Sequence, residues 1–524
     1  MEKKGKREVF GRLFAVVVFA ALTVFGFGFS IYLIYNANNA YSYFLAFSYL
    51  ILSIIAGLFN TFTAYSYYRS YLYDEYLKKI GETLKPVKTL PKMAVAVAVF
   101  NENPEEVEKN MEKLLELEYP KDRINFYMLD DSTDMKKASA IKKASMKYNY
   151  KYIHRTDRKG YKAGALNNLL SSLKEEYLAI FDYDEYLTNK KFLLELLPYF
   201  QDSKLAYIQT EKRYKKHTFF SDTIDLFDAF FFKFIQPSRA LNNTAIFAGS
   251  CGLIRVDSLK KIGGFPEYVI EDTFFSFESD IHGFKSLYIP KVYALGKPIE
   301  SFTELVKQQW RYNYGDTQFL GYFIKRTRHN TKKALSPLSN VDYMTHGFGL
   351  NYISVMLVLF TVISIMIVFS QLPVAQINFS NILTSQYMSF DLELLGMGAL
   401  FVSIIAPIII TKIYFDSIKK GFMIFLLNFA LSFVRAKAAF SAIFRKKYTV
   451  IWDRHSKEDK YGKIIYALRN SVFEIVFSAM LFIFSIFAIL INNTFGGLWL
   501  LWYGLLYFST LIMFYRYGWL NDLL

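Results

Sequence analysis

The chain has 524 residues, 53% of them hydrophobic and 21% charged, with a net charge of +16 and a mean hydropathy of +0.17. That is too apolar for an ordinary soluble enzyme and too charged for a bundle lying wholly in lipid, so membrane spans joined to a water-facing part are expected. In such a chain a basic excess reports Lys and Arg beside anionic lipid, so no nucleic-acid partner is expected, and a single cysteine, Cys251, excludes an internal disulfide.

The first apolar stretch follows Met1-Glu2-Lys3-Lys4 and has no small-residue cleavage site after it, which reads as a retained anchor. Six stretches come close to the roughly 20 apolar residues a bilayer requires. They are Leu13–Tyr35, Tyr43–Tyr67, Tyr352–Ser370, Leu394–Ile413, Val472–Ile491 and Leu498–Phe514. A seventh, Phe422–Phe444, carries Arg435 and Lys437 near its middle and reads as an interfacial helix, because charges there are costly in hydrocarbon. The loops at 36–42, 371–393 and 492–497 lack Lys and Arg. The opposite side holds Lys3, Lys4, Lys6, Arg7, Arg12, Lys412, Lys419, Lys420 and Arg445-Lys446-Lys447. The positive-inside rule then places both termini and the segment from Arg69 to Asp342 in the cytoplasm of a multi-pass protein of the cell membrane.

Between the second and third spans the pattern changes to short strands alternating with helices. Strands are expected at Met93–Phe100, Arg123–Leu129, Lys151–His154 and Glu176–Phe181, and helices from Pro104, at Lys136–Tyr148 and at Ala163–Leu173. The alternation predicts an α/β domain with a mostly parallel sheet, whose ligands bind at the carboxyl ends of the strands. The second strand ends in Asp130-Asp131-Ser132-Thr133-Asp134 and the fourth in Asp182-Tyr183-Asp184. Carboxylates at i and i+2 leave the same face of an extended chain. With no positive residue beside them in sequence, a hard divalent cation, Mg²⁺ or Mn²⁺, is the partner their chemistry suggests. Acidic residues at strand ends also cap turns and helices, which is the competing reading for each motif alone. His154, His217 and His282 have no metal-ligand spacing and read as structural.

Further motifs follow in order. Tyr161-Lys162-Ala163-Gly164-Ala165-Leu166-Asn167 puts Lys162 at a helix start. Gly249-Ser250-Cys251-Gly252 comes next, then Ile270-Glu271-Asp272, then Gln308-Gln309-Trp310-Arg311-Tyr312 on an amphipathic helix. Taken as an ordered set over about residues 90–320, they resemble the processive family-2 glycosyltransferases, the group of cellulose, chitin and hyaluronan synthases. Two positions depart from the family pattern. Ile270 replaces a threonine before the acidic pair, and Tyr312 replaces a tryptophan after the arginine.

The resemblance implies a GT-A-like glycosyltransferase domain fused to an α-helical membrane domain. Its boundaries would be two spans in residues 1–70, the cytoplasmic domain in 71–325, and in 326–524 four spans, the interfacial helix 422–444 and a gating-like loop at 445–470. It implies inverting transfer of sugar from a UDP-sugar to a growing polysaccharide, extruded through the protein's own pore. The implied roles are Asp184 with Asp182 for the metal, and Asp272 with Glu271 for catalysis. Asn101, Glu102, Asp130, Asp131, Lys162, Gln308 and Arg311 would bind the nucleotide-sugar. Tyr312, Trp310 and Cys251 would face the acceptor, and Trp452 and Arg454 would close the gate. Bland alternatives remain: Glu271 and Asp272 suit a helix first turn, Trp310 and Arg311 suit interfacial anchors, and Cys251 suits a packing position. Two other whole-protein readings stay open, a transferase adding one sugar to a membrane lipid and a non-catalytic membrane protein that kept the fold.

Overall fold

The structure is a computed structural model and describes residues 2–329, 335–370, 408–444 and 460–518. Two long helices open the chain, α1 (Glu2–Asn36) and α2 (Ala40–Thr83), the second capped by Asn39 through a reciprocal bond with Ser42. The α/β part then runs β1 (Met93–Val99), α3 (Pro104–Leu114), β2 (Ile124–Asp130), α4 (Met135–Lys147), β3 (Lys151–His154), α5 (Tyr161–Ser172), β4 (Tyr177–Asp182), β5 (Tyr186–Leu187) and α6 (Phe192–Leu196). Each element expected from the sequence forms, with ends displaced by a residue or two. The strand of Met93–Val99 is buried almost throughout, as a central parallel strand must be. Asn103 caps α3 with Pro104 in its first turn, and Asp134 caps α4 by accepting from the Lys136 and Lys137 amides.

Past α6 come β6 (Leu205–Tyr214), α7 (Phe219–Phe230), a π-helical turn at Phe231–Ile235, α8 (Gln236–Ala240), β7 (Gly252–Arg255), α9 (Val256–Ile262), α10 (Glu271–Ile281) and β8 (Lys285–Gly296). The eight strands make one sheet in the order β3-β2-β1-β4-β7-β6-β8-β5. Its first half is parallel, whereas β7 pairs antiparallel with both β4 and β6, and β5 antiparallel with β8. The change of direction lies beside β4. Register sets Asp182 opposite Ala98 and Asp130 opposite Val99, so the acidic strand ends lie at one rim. Apolar clusters cover both faces, one gathering Val95, Val97 and Met111, the other Ala94, Leu166 and Phe275.

The chain continues with α11 (Phe302–His329), α12 (Pro337–Val368), α13 (Ile418–Ala430), α14 (Ser432–Phe444), α15 (Lys460–Asn470), α16 (Val472–Leu490) and α17 (Thr494–Tyr517). Among the described residues four helices are long and apolar enough to cross a membrane: Leu13–Asn36, Ala40–Thr83, Val472–Leu490 and Gly496–Tyr517. The count rises to six if each of two bent pairs is one span. These are Pro337–Gly349 with Ser354–Val368, bent by 65°, and α13 with α14, bent by 42°. The expected interfacial helix 422–444 is thus broken near its middle. Its Arg435 faces protein, fully buried and donating to Gln309 Oε1 at 3.0 Å and to Asn428 Oδ1 at 3.2 Å, so that charge is no argument against a span. Most of the expected span at 394–413 and most of the gating loop, with Trp452 and Arg454, lie outside the described residues. The end of that loop segment is helical, as α15.

Candidate active site

The acidic rim is built by chain ends leaving adjacent strands. Asn101, held at φ 56° just past β1, accepts from the Thr133 and Asp134 amides at 3.0 and 2.9 Å and so ties the loop after β1 to the loop after β2. Asp130 is fully buried. It accepts from the Ser132 amide at 2.8 Å and from the Tyr152 hydroxyl at 2.7 Å. Asp131 takes the guanidinium of Arg155, with Nε at 2.8 Å. Glu102 accepts from the Tyr183 hydroxyl, and burial raises its pKa. Of the residues expected to hold the base, Asn101 and Glu102 are half-buried at the rim, whereas Asp130 is sealed beneath it.

Arg155 and Arg158 were not foreseen. The loop they occupy, between β3 and α5, folds against the first turn of α5, where Lys162 lies. Only glycine fits at Gly164, where a Cβ would stand 1.9 Å from the Lys159 carbonyl oxygen. Arg158 stacks its guanidinium over the Phe100 ring, 3.2 Å from the centroid. The basic run Arg155–Lys159 between a strand and a helix was the available signal.

At the end of β4 the structure corrects one expectation. Asp182 does have positive neighbours, though neither is next to it in sequence. Lys162 hydrogen-bonds its Oδ1, and Lys212 of β6 lies 3.4 Å from Oδ2 and 3.0 Å from Glu185. Burial alone would raise the Asp182 pKa, but the two ammonium groups outweigh it and hold the carboxyl well below the usual range. Asp184 shows the opposite balance. Burial, then the charges of Asp182 and Glu185, push its pKa up to about 7. Ser250 Oγ lies 2.7 Å from both Asp182 Oδ2 and Glu185 Oε1 and receives a bond from Lys212 at 2.6 Å. Lys212 escaped the sequence reading because nothing local marks it.

The residues present fit a divalent cation. The donors are hard carboxylate oxygens, and Asp184 carries an unfavourable like-charge environment that a cation would relieve. Among the described residues no three His, Cys, Asp or Glu side chains converge as a self-sufficient cage. A cation held by Asp182 and Asp184 would therefore need oxygen ligands from a substrate, the usual mode of Mg²⁺ at phosphates.

The third acidic pair opens α10. Burial, then the charge of Asp272, raises Glu271 to about 7, and burial raises Asp272 above its ordinary value. Lys162, Arg311 and Lys212 are the opposing charges around Asp272. Gly249, at φ +80°, brings these groups together. Its carbonyl accepts from Lys162 at 3.0 Å, and a Cβ there would lie 3.2 Å from Asp272 Oδ2. On α11, Gln308 and Tyr312 are one turn apart, with Gln308 Nε2 at 3.4 Å from the Tyr312 hydroxyl. Tyr312 has Asp272, Lys212 and Arg311 as electrostatic neighbours.

Of the other expected acceptor residues, Trp310 sits two residues from both Gln308 and Tyr312, which puts it on the other side of α11. Cys251 is 1% exposed and packs in the core with Ile208 and Leu253, while its thiol lies against Glu185, beneath the rim where Ser250 meets Asp182.

Residues 94–263 match the profile described as Glycosyl transferase family 2. The chain is 28% identical over 235 residues to the cellulose synthase catalytic subunit [UDP-forming] of Pseudomonas fluorescens, covering 44% of this chain and 31% of that protein. It is 28% identical over 255 residues to the probable glucomannan 4-beta-mannosyltransferase 11 of Oryza sativa subsp. japonica, covering 46% and 44%. The matched region thus spans less than half the length of either relative. Among solved structures, a mannosyltransferase from Pyrobaculum calidifontis in complex with GDP-Man and Mn²⁺ superposes with a TM-score of 0.48 at 16% identity, covering 74% of this chain and 99% of that one.

Proposed function

We propose that this chain, whose residues 94–263 form a family-2 glycosyltransferase domain, transfers sugar from a nucleotide-sugar, most simply a UDP-sugar, to a growing polysaccharide at the cytoplasmic face of the cell membrane. The observation that carries the reading is the convergence at one rim of Asp182 and Asp184, Lys162, and the raised pair Glu271 and Asp272. Relatives named for cellulose and glucomannan synthesis support a polymer as product.

In this reading Asp182 and Asp184 would hold a divalent cation, Mg²⁺ or Mn²⁺, which would supply positive charge for the departing diphosphate. Lys162, with Lys212 and Arg311, contributes fixed positive charge at the same place. Asn101, Glu102 and the Asp131–Arg155 pair orient the nucleotide. Asp272 accepts the proton of the acceptor hydroxyl, for which a carboxyl raised by burial is suited. Glu271 keeps that pocket negative, Gln308 joins Arg311 on the nucleotide-sugar, and Tyr312 faces the acceptor. A single displacement inverts the anomeric centre, so an α-linked donor yields a β-linked product. The membrane helices form the exit path, the segment 445–470 closes over the donor through Trp452 and Arg454, and the divisions near residues 70 and 325 separate spans from catalytic domain.

The test uses purified full-length protein in proteoliposomes with Mn²⁺ or Mg²⁺ and a panel of labelled UDP- and GDP-sugars, with the product sized on a gel. A high-molecular-weight product that disappears in Asp272→Asn and on chelation is expected. A short, organic-extractable product would replace the polymer by a lipid acceptor. Absence of turnover with every donor, in protein shown to be folded, would overturn the enzymatic reading.

A further inference from the structure

One buried polar chain lies outside the residues assigned above, directly behind the proposed base. Thr273 is next to Asp272 and donates its amide to Asp272 Oδ1 at 2.8 Å. Its hydroxyl lies 3.2 Å from Nε2 of His346 on α12. The same nitrogen is 3.9 Å from Oδ1 of Asp316 on α11, whose side chain is 17% exposed. A second tie runs in parallel. Ser276 donates its hydroxyl to the Asp272 carbonyl at 2.7 Å, and Tyr343, one turn before His346, donates to the Ser276 carbonyl at 3.1 Å. Two contacts from α12 thus reach the first turns of α10, at Thr273 and at Ser276.

The contact between these helices is otherwise aromatic, with Phe274, Phe277, Phe319 and Phe323 interlocking and the His346 ring 6.2 Å from that of Phe319. Burying a carboxyl and an imidazole among such rings costs stability that an apolar pair would not lose. Polar groups persist in such places when a site needs them. Asp316 also lies at the break in α12. A Cβ on Gly349, which sits at φ 33°, would meet the Asp316 Oδ2 at 3.6 Å. Burial, and then the charge of Asp272, push the Asp316 pKa well above the ordinary range.

We propose that Asp316 and His346 are positioning residues for the base, fixing Asp272 through Thr273 and coupling it to the helix that enters the C-terminal membrane segment. The inference rests on the reading of Asp272 as the base. Asp272 is otherwise faced by Lys162 from α5, Lys212 from β6, Arg311 and Tyr312 from α11, and Glu271 on its own helix. His346 adds a contact from α12 to the hydroxyl of Thr273, the residue that follows the base.

The experiment compares His346→Ala, His346→Gln, Asp316→Ala, Asp316→Asn and Asp272→Asn in the purified full-length protein, reading kcat, donor KM and UDP binding. His346→Ala and Asp316→Ala are expected to lower kcat by roughly tenfold to a hundredfold, the scale of a small misplacement of a reacting group. Donor KM and UDP binding should stay at wild-type values. Asp316→Asn keeps the shape of the side chain and His346→Gln keeps a nitrogen near Thr273, so both should recover most of kcat. A general structural role would not give that split or that rescue. If Asp272→Asn is inactive while both alanine variants turn over like wild type, or if donor KM rises in step with the loss of kcat, the inference is overturned and the catalytic reading stands. If Asp272→Asn turns over normally, the base assignment itself fails.

Discussion

At Asp184, burial and the charges of Asp182 and Glu185 raise the pKa to about 7, which makes cation binding a competition with a proton. Below about pH 7 the carboxyl is protonated and a cation must displace that proton. Above it the carboxylate is free to bind. Affinity for Mn²⁺ in the presence of UDP should therefore weaken as pH falls, by up to about tenfold per unit below 7, measured by calorimetric titration at pH 6, 7 and 8. A flat affinity across that range would mean that Asp184 is not the ligand. The Asp182 carboxyl poses the opposite case, since Lys162 and Lys212 keep it ionised. The sequence displays both aspartates but not this difference, because Lys212 reaches them from β6, thirty residues away in the chain. The placement of Cys251 is hidden for a similar reason. Its motif is legible, but how Gly249-Ser250-Cys251 sits under the rim depends on positive φ values at Gly249 and Cys251 that no periodicity announces.

The elements that place the site are mostly short, and two glycines decide whether they meet. Gly164→Ala would drive a methyl into the Lys159 carbonyl at 1.9 Å, a backbone atom that cannot rotate away. The loop from Arg155 to Gly160 must then leave α5, taking Arg155 from Asp131. Nucleotide binding should fall and thermal stability with it, both measured against Gly81→Ala, which meets nothing within 4 Å and sits inside α2. That control should be neutral or stabilise by about 0.5–1 kcal/mol. If Gly164→Ala binds UDP like wild type, the loop does not orient the nucleotide. The helices and strands from β1 to β4 were readable because alternation of buried strands with amphipathic helices is a local signal. The second half, of mixed direction, was not. Strands β6, β7 and β8 are separated by helices of very different lengths, and β7 runs antiparallel to β6 while β8 runs parallel to it, as set by pairing across the sheet. The burial of Arg435 in the bent pair α13 and α14 was not legible, because its guanidinium donates to Gln309 on α11, a contact invisible in a hydropathy profile.

For the whole molecule, the orientation drawn from basic residues can be tested with its own cysteine as the silent background. Cys251 is buried, so a membrane-impermeant maleimide applied to intact cells should leave the unmodified protein unlabelled. Asn38→Cys, in the exposed turn between α1 and α2, should label from outside, and Lys88→Cys, exposed beyond α2, should label only after permeabilisation. The reverse pattern would invert the topology. Between those two positions runs α2, one helix of 44 residues and about 66 Å long. It leaves the apolar zone and then grips the catalytic domain, with Arg69 donating to Asn242 at 2.6 Å and the buried Tyr73 hydroxyl donating to the Tyr288 carbonyl. Span and grip share one rigid rod, so a count of residues fixes both how high the sheet stands above the lipid and which way it faces. One residue inserted between Tyr67 and Tyr73 would raise the domain by about 1.5 Å and swing it by about 100°. Depth and azimuth are a single screw-like variable, and the aim of the acidic rim is clocked by the pitch of α2.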